Sequence, residues 1–276
     1  MLAVTVNVGC GGPHLLRRAP AMAVWAREAL GREPGLVFAQ EVPTSPEWLG
    51  VWSGAGYTPV WGGLPVWRPR SVLLAAPGIV LEPMTRAECP SLSYHGSYVA
   101  AAHWVNAGRP VTVASVHTAP DPAEPEQYGW PHDLPAPRDG GPGSTYPRRQ
   151  LWDSDLLLAT LAGLAGDGLV AAGDFNECLT DHAPDVSWGR EYREHAAEAG
   201  LVDALLESWG AERATRFPPS GARPVQLDHV LVDKAMAPRV AHGHASVDAG
   251  WAQRHVDGTD GLSDHAPVWF DITVDA

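Results

Sequence analysis

The sequence predicts an α+β chain in which helices pack on sheets in layers. Two patterns carry that reading. Short β-branched runs recur, several of them bounded by Gly or Pro, as strands are. Between them lie longer windows whose apolar residues return every three or four positions, the period of a helix with one buried face. Length adds a third observation: 276 residues, 45% of them hydrophobic, suffice for one large core, so a single domain over 1–276 is expected.

The strands expected in order are AVTVNV (3–8), LVFAQ (36–40), SVLLAA (71–76), SYVAAAHWV (97–105), VTVASVH (111–117), LVAAGD (169–174), LDHVLVD (227–233) and PVWFDITV (267–274). The helical windows are PAMAVWAREAL (20–30), RRQLWDSDLLLATLAGL (148–164) and WGREYREHAAEAGL (188–201). The first sets Met22, Trp25, Ala26 and Ala29 on one face, and the second does the same with Leu151, Leu158 and Leu161. Residues 118–147 break the alternation. They are rich in Pro, Gly and charge, and a loop so long is usually functional or disordered. The reading is a large surface insertion, a candidate lid, and not a linker between domains.

Charge narrows the function. With 32 acidic and 19 basic residues the net charge is −13, whereas proteins that coat nucleic acid are basic, because phosphate neutralisation supplies their affinity. That balance leaves room for an enzyme that grips one phosphate through a cation, which clustered carboxylates help to hold. The three cysteines, Cys10, Cys89 and Cys178, are widely spaced and form no CxxC pair, so they read as reduced thiols rather than a disulfide frame or zinc site. The first residues carry no basic leader and no long apolar run, so a cytoplasmic protein is expected.

Polar residues gather where the expected strands stop. The first strand runs to Asn7, the second to Glu41, a later one to His117, and another into GDFN with Asp174 and Asn176 two apart. LDHV brings Asp228, and SDHAPV brings Asp264 and His265. Each has an ordinary explanation: Asn7 as a turn residue, Glu41 as a solvated strand end, His117 as an edge histidine, GDFN as a tight turn with capping chemistry, SDH as turn chemistry. Asp228 fits least well, because a carboxylate between apolar neighbours is expensive to bury without a partner.

The ordered series Asn7, QE at 40–41, SVH at 115–117, GDFN at 173–176, LDHV at 227–230 and SDHAPV at 263–268 resembles the endonuclease/exonuclease/phosphatase superfamily, the deoxyribonuclease I-like fold. The resemblance spans residues 7 to 268. It implies a four-layered α/β/β/α sandwich with two packed, mostly antiparallel sheets. It also implies a divalent-metal-dependent phosphoesterase, using Mg²⁺ or Mn²⁺, that cleaves a phosphodiester by in-line attack of water.

By the same resemblance Glu41 is the principal metal ligand with Asn7 beside it, and Asp264 ligates a second cation or helps hold the first. Asp174 positions and polarises the water, Asn176 donates to the phosphoryl group, and His117 contacts the scissile phosphate. His265 faces the phosphate from the opposite side, with Asp228 as the acceptor that orients it, the logic by which a buried Asp fixes a histidine in hydrolytic triads. Two departures stand out. Gln226 occupies the place where family members often carry Arg or Lys, and YPRRQLWDSDL matches the family's helix opening only loosely, leaving Tyr146, Arg148 and Arg149 as weaker candidates for substrate contact. The substrate stays open between DNA or RNA and a small phosphodiester such as a nucleotide. The alternatives are a phosphomonoesterase of small molecules and an inactive binding module of the same fold.

Overall fold

The computed structural model describes residues 1–9, 15–42, 46–63, 70–120, 122–123, 129–137, 150–166, 168–178, 188–218, 223–256 and 263–274. The strands are β1 Leu2–Asn7, β2 Leu36–Val42, β3 Thr58–Trp61, β4 Arg70–Ala75, β5 Leu81–Pro83, β6 Val99–Trp104, β7 Thr112–His117, β8 Leu169–Asp174, β9 Leu201–Asp203, β10 Asp228–Asp233, β11 Val240–Val247 and β12 Val268–Ile272. The α-helices are α1 Leu15–Leu30, α2 Pro46–Gly54, α3 Leu92–His95, α4 Asp153–Leu164, α5 Trp188–Glu198, α6 Ala204–Trp209 and α7 Ala249–Val256.

Two six-stranded sheets result, ordered β11-β12-β1-β2-β4-β3 and β5-β6-β7-β8-β10-β9. Both have the same internal pattern. One parallel pair lies at the centre, β1 with β2 in the first sheet and β7 with β8 in the second, and every other neighbour is antiparallel. A parallel pair needs a crossover. α1 makes it in the first sheet, and the stretch containing α4 makes it in the second.

Side chains alternate across each strand, and the alternation sorts the apolar residues into three cores. Ala3, Leu36, Phe38, Leu73, Val113, Val170, Val230 and Phe270 fill the space between the sheets. Val4, Val37, Val72, Trp25, Trp48 and Trp52 form a second core beneath α1 and α2. Ala114, Ala171, Leu157, Leu161, Tyr192 and Leu231 form a third beneath α4 and α5. Helix, sheet, sheet, helix is the expected four-layered order.

The structure adds four strands, β3, β5, β9 and β11, and four helices, α2, α3, α6 and α7, that the sequence reading lacks, and it also differs at element ends. The helix read over 148–164 begins at Asp153, because Asp155 Oδ2 accepts from Trp152 N (3.0 Å) and fixes the first turn there. The window read as helix to 201 stops at Glu198, and Leu201–Asp203 pairs with β10 as an edge strand. Within the long 118–147 stretch, Trp130 packs edge-on against Tyr94 of α3, the ring centres 5.3 Å apart. No helix among the described residues is long and apolar enough to cross a membrane.

One glycine governs how closely the parallel strands approach. A Cβ built at Gly173 would lie 1.9 Å from Val116 O, whereas one at Gly163 in α4 meets nothing within 4 Å. Gly173→Ala is therefore expected to lower the unfolding free energy by at least ~2 kcal/mol, since an added methyl here must displace backbone. Gly163→Ala should be neutral or stabilising by up to ~1 kcal/mol, as alanine is in helices. Paired urea melts check this, and equal effects at the two positions would contradict it.

Candidate active site

The two central parallel pairs end on the same edge of the sandwich, and that edge is where the polar residues converge. Parallel register sets Asn7 opposite Gln40 and His117 opposite Asp174, while the antiparallel β8–β10 pair sets Asp228 opposite Asp174. Glu41 is turned by a bulge: the β2–β4 register shifts between Ala39 and Val42, and Glu41 has φ 51°. A bulge re-aims a side chain at a strand end, and a left-handed non-glycine residue is uncommon enough to point to a site. Asn176 is the second such candidate, at φ 52°, a conformation Asn tolerates.

The side chains meet across the seam between the sheets. Asn7 Nδ2 donates to Asp174 Oδ2 (2.8 Å) and to Glu41 Oε1 (3.2 Å), and Asn7 Oδ1 accepts from Gly9 N (2.8 Å). His117 Nε2 lies 3.5 Å from Glu41 Oε1 and 3.9 Å from Asp174 Oδ2. The Tyr98 ring packs edge-on against its imidazole. Asp174 Oδ1 accepts from Asn176 N (2.9 Å), and Asn176 Nδ2 donates to Thr118 O (2.6 Å). His265 Nδ1 donates to Asp228 Oδ2 (2.9 Å), and its Nε2 lies 3.6 Å from Asp174 Oδ2.

Seven of the expected residues, Asn7, Glu41, His117, Asp174, Asn176, Asp228 and His265, thus form one connected group. Asp264 stands at its margin, where its Oδ2 accepts from Arg216 Nε (3.0 Å). Tyr146, Arg148 and Arg149 lie outside the described residues.

Burial and charge set the protonation of the dyad. Burial alone would push the His265 pKa down, but the charges of Asp228 and Asp174, the Asp228 hydrogen bond and the Asp264 charge outweigh it and raise the value to about 10. The group is an imidazolium at neutral pH. For Asp264 burial pushes the pKa up, and the His265 charge and the Arg216 hydrogen bond pull it below the usual carboxylate range. Ser263 Oγ accepts from His265 N (3.1 Å), the turn that aims the imidazole.

Two supports are absent from the sequence reading. Thr215 Oγ1 accepts from both Leu227 N (3.0 Å) and Asp228 N (3.1 Å), clamping the start of β10. His229, on the opposite face from Asp228, lies 2.8 Å from Asp203 Oδ2 through Nδ1 and 2.7 Å from Glu177 O through Nε2. It ties the turn after Asp174 to the neighbouring strands. Gln226, the departure noted in the sequence, donates to the same Asp203 oxygen (3.5 Å) and accepts from Arg213 N (2.8 Å), so it serves this buried network. His229 stands in the LDHV motif itself, and that signal was available. Thr215 gave none.

The donor set fits a hard divalent cation. Carboxylate oxygens of Glu41 and Asp174 both lie within hydrogen-bond reach of one Asn7 nitrogen, so they converge. Mg²⁺ takes one or two carboxylates and keeps several waters. Among the described residues no group of three or more His, Cys, Asp or Glu is placed to hold a metal ion, so a cation here would rest on the Glu41 and Asp174 oxygens with water completing its shell. In the observed orientation Asn7 offers its amide N–H₂ to the carboxylates.

A two-sheet sandwich with an acid-, amide- and imidazole-lined seam defines a class of hydrolytic nucleases and phosphatases. Residues 4–265 match the model of the endonuclease/exonuclease/phosphatase family, and the chain belongs to that family. Its fold is similar to the 3′ phosphatase NExo from Neisseria, a variant bound to product DNA hairpin, at 19% identity over 99% of both chains and TM-score 0.63. It is also similar to an AP endonuclease from Archaeoglobus fulgidus, at 16% identity over 99% of this chain and 100% of that one, TM-score 0.62. Humanized TDP2 of D. rerio is similar at 15% identity over 99% of both chains, TM-score 0.58. No curated protein matches the chain in sequence.

The His229 network carries a pH signature. Burial lowers its pKa, but the Asp203 hydrogen bond and charge, with Glu212 and Glu177 O, raise it to about 9. A raised folded-state value means stability present in full below the unfolded pKa, ~6.5, and lost as pH climbs through 9. The stability difference between wild type and His229→Gln is therefore expected to shrink between pH 6.5 and 9, by up to about 3 kcal/mol at ~1.4 kcal/mol per pKa unit. Denaturant melts across that range measure it, and a constant difference would show that His229 folds uncharged.

Proposed function

We propose that the protein is a divalent-metal-dependent hydrolase of phosphodiesters, acting on nucleic acid or a nucleotide-like diester. The observation that carries this is the connected group at the seam: a convergent Glu41–Asp174 oxygen pair facing an imidazolium held by Asp228. Likeness to enzymes that act on DNA supports a nucleic-acid or nucleotide substrate. The net charge of −13 argues for cation-assisted contact with one phosphate over broad electrostatic capture.

Glu41 would hold Mg²⁺ or Mn²⁺, with Asn7 positioning its carboxylate and Asp264 at the margin. Such an ion would supply neutralisation of charge on the phosphoryl oxygens. Asp174, fixed at both oxygens by Asn7 and Asn176, orients the attacking water and takes up its proton as the P–O ester bond breaks, and the leaving oxygen takes a proton from solvent. His265 donates from Nε2 to a phosphoryl oxygen, and its Nδ1 stays on Asp228. Asn176, through the second hydrogen of its amide, and His117 hold the remaining oxygens. Tyr146, Arg148 and Arg149 remain candidates for contact with the rest of the substrate.

The test is a panel of plasmid DNA, RNA, a nitrophenyl phosphodiester and nucleoside monophosphates, incubated with Mg²⁺ or Mn²⁺. Hydrolysis of a diester that stops on chelation is expected, and faster cleavage of the monophosphates would make the protein a phosphomonoesterase. Asp174→Asn is expected to cut turnover by at least about 10²-fold, the contribution of a positioned proton acceptor, with KM within about threefold. Glu41→Gln should lower turnover and raise the Mg²⁺ concentration needed for half-maximal rate. No hydrolysis of any ester, or full turnover in Asp174→Asn, contradicts the proposal.

A further inference from the structure

Arg216 has no role in the chemistry above, yet the backbone sets it beside the dyad. Residues 215–217 run antiparallel to 264–266: Arg216 bridges His265, Phe217 N donates to Asp264 O (2.7 Å), and Ala266 N donates to Thr215 O (2.7 Å). Directly opposed residues in such a pair have Cβ atoms ~5 Å apart, so Arg216 and His265 leave the backbone side by side. The same pairing anchors Thr215, whose hydroxyl clamps Asp228 N. Arg216 therefore belongs to a segment that builds the dyad, and its position follows that of the imidazole.

The guanidinium is half-used. Asp264 Oδ2 takes Nε at 3.0 Å, and the side chain has no second acceptor among the described residues while remaining 42% exposed. Holding an arginine by Nε fixes the plane of its fork and leaves the two Nη groups to grip one anion at two points. Glu41, Asp174, Asp228 and Asp264 would all repel a phosphate approaching His265, so a fixed cation at this edge has a task there. An exposed ion pair with no such task contributes little to stability.

We propose that Arg216, held by Asp264, is a substrate-positioning residue whose Nη groups bind an oxygen of the phosphate that faces His265. This deepens the hydrolase reading and rests on it for the identity of the anion. Asp264 then acts through Arg216, which explains why its carboxylate points to a guanidinium at the margin of the group.

Titration calorimetry of the full chain with inorganic phosphate, in Mg²⁺, tests this without turnover. Arg216→Ala is expected to bind phosphate at least about tenfold more weakly than wild type, with Arg216→Lys between them because a point charge replaces the fork. Unfolding temperatures should stay within a few degrees. With a cleaved diester, Arg216→Ala should raise KM about tenfold and leave kcat within about threefold, the pattern of lost uniform binding. Wild-type phosphate affinity in Arg216→Ala, or no phosphate binding by wild type, overturns the proposal. Arg216-dependent phosphate binding without hydrolysis of any ester would instead overturn the hydrolase reading and leave the anion site standing.

Discussion

Contacts across the seam between the two sheets hold this molecule's chemistry in register. Asn7 and Glu41 come from the first sheet and His265 from the segment leading into its β12, while His117, Asp174 and Asp228 come from the second. Three of the contacts that define the site cross between them: Asn7 to Asp174, His117 to Glu41, His265 to Asp228. One layer deeper, Gln40 Nε2 donates to Ser115 Oγ (3.0 Å) and lies 3.4 Å from Ala172 O, and Ser115 Oγ donates to Ala39 O (3.1 Å). Sliding one sheet on the other would break all of these contacts at once, and partners lost by buried polar groups are costly. The polar seam thus fixes an alignment that the apolar core of Ala, Val and Leu would tolerate with some slack.

The same seam sets the electrostatics. Three carboxylates, Asp228, Asp174 and Asp264, act on His265, and their charge holds the imidazole protonated to about pH 10 against the effect of burial. The Asp228–Asp174 opposition is possible because the imidazolium lies within reach of both. In the proposed reaction such a buried cation would be a preorganised stabiliser of phosphoryl charge that need not reorganise. His229 repeats the device on the outer face of β10 with Asp203, in a purely structural setting.

Much of this was legible in the sequence, for identifiable reasons. Strands with β-branched runs and a polar terminus, such as AVTVN and LVAAGD, gave both the element and the polar end that meets the seam, because parallel central strands gather their C-terminal residues on one edge. Order along the chain supplied the rest of the site, since six motifs in sequence are far more specific than any one. Short edge strands such as Leu81–Pro83 and Leu201–Asp203 were not legible: three residues hold too little pattern, and pairing with a neighbour decides their state. The Glu41 bulge was hidden for the same reason, as it depends on how β4 meets β2. Asp264 reads in the sequence as a candidate cation ligand, and nothing there signals that it also meets an arginine. Arg216, 48 residues away, became its partner only through tertiary pairing.

The central claim is that residues from opposite sheets act as one catalytic unit, and a double-mutant cycle across the seam tests it most directly. Single-turnover rates would be compared for wild type, His265→Ala, Asp228→Asn and the double variant on one cleaved diester. Members of a unit lose nearly everything with the first deletion. The account predicts a severe loss for His265→Ala, a smaller one for Asp228→Asn, and a double variant no more than about threefold slower than His265→Ala. Logarithmic losses that simply add would contradict it, leaving Asp228 a buried carboxylate with no part in the reaction.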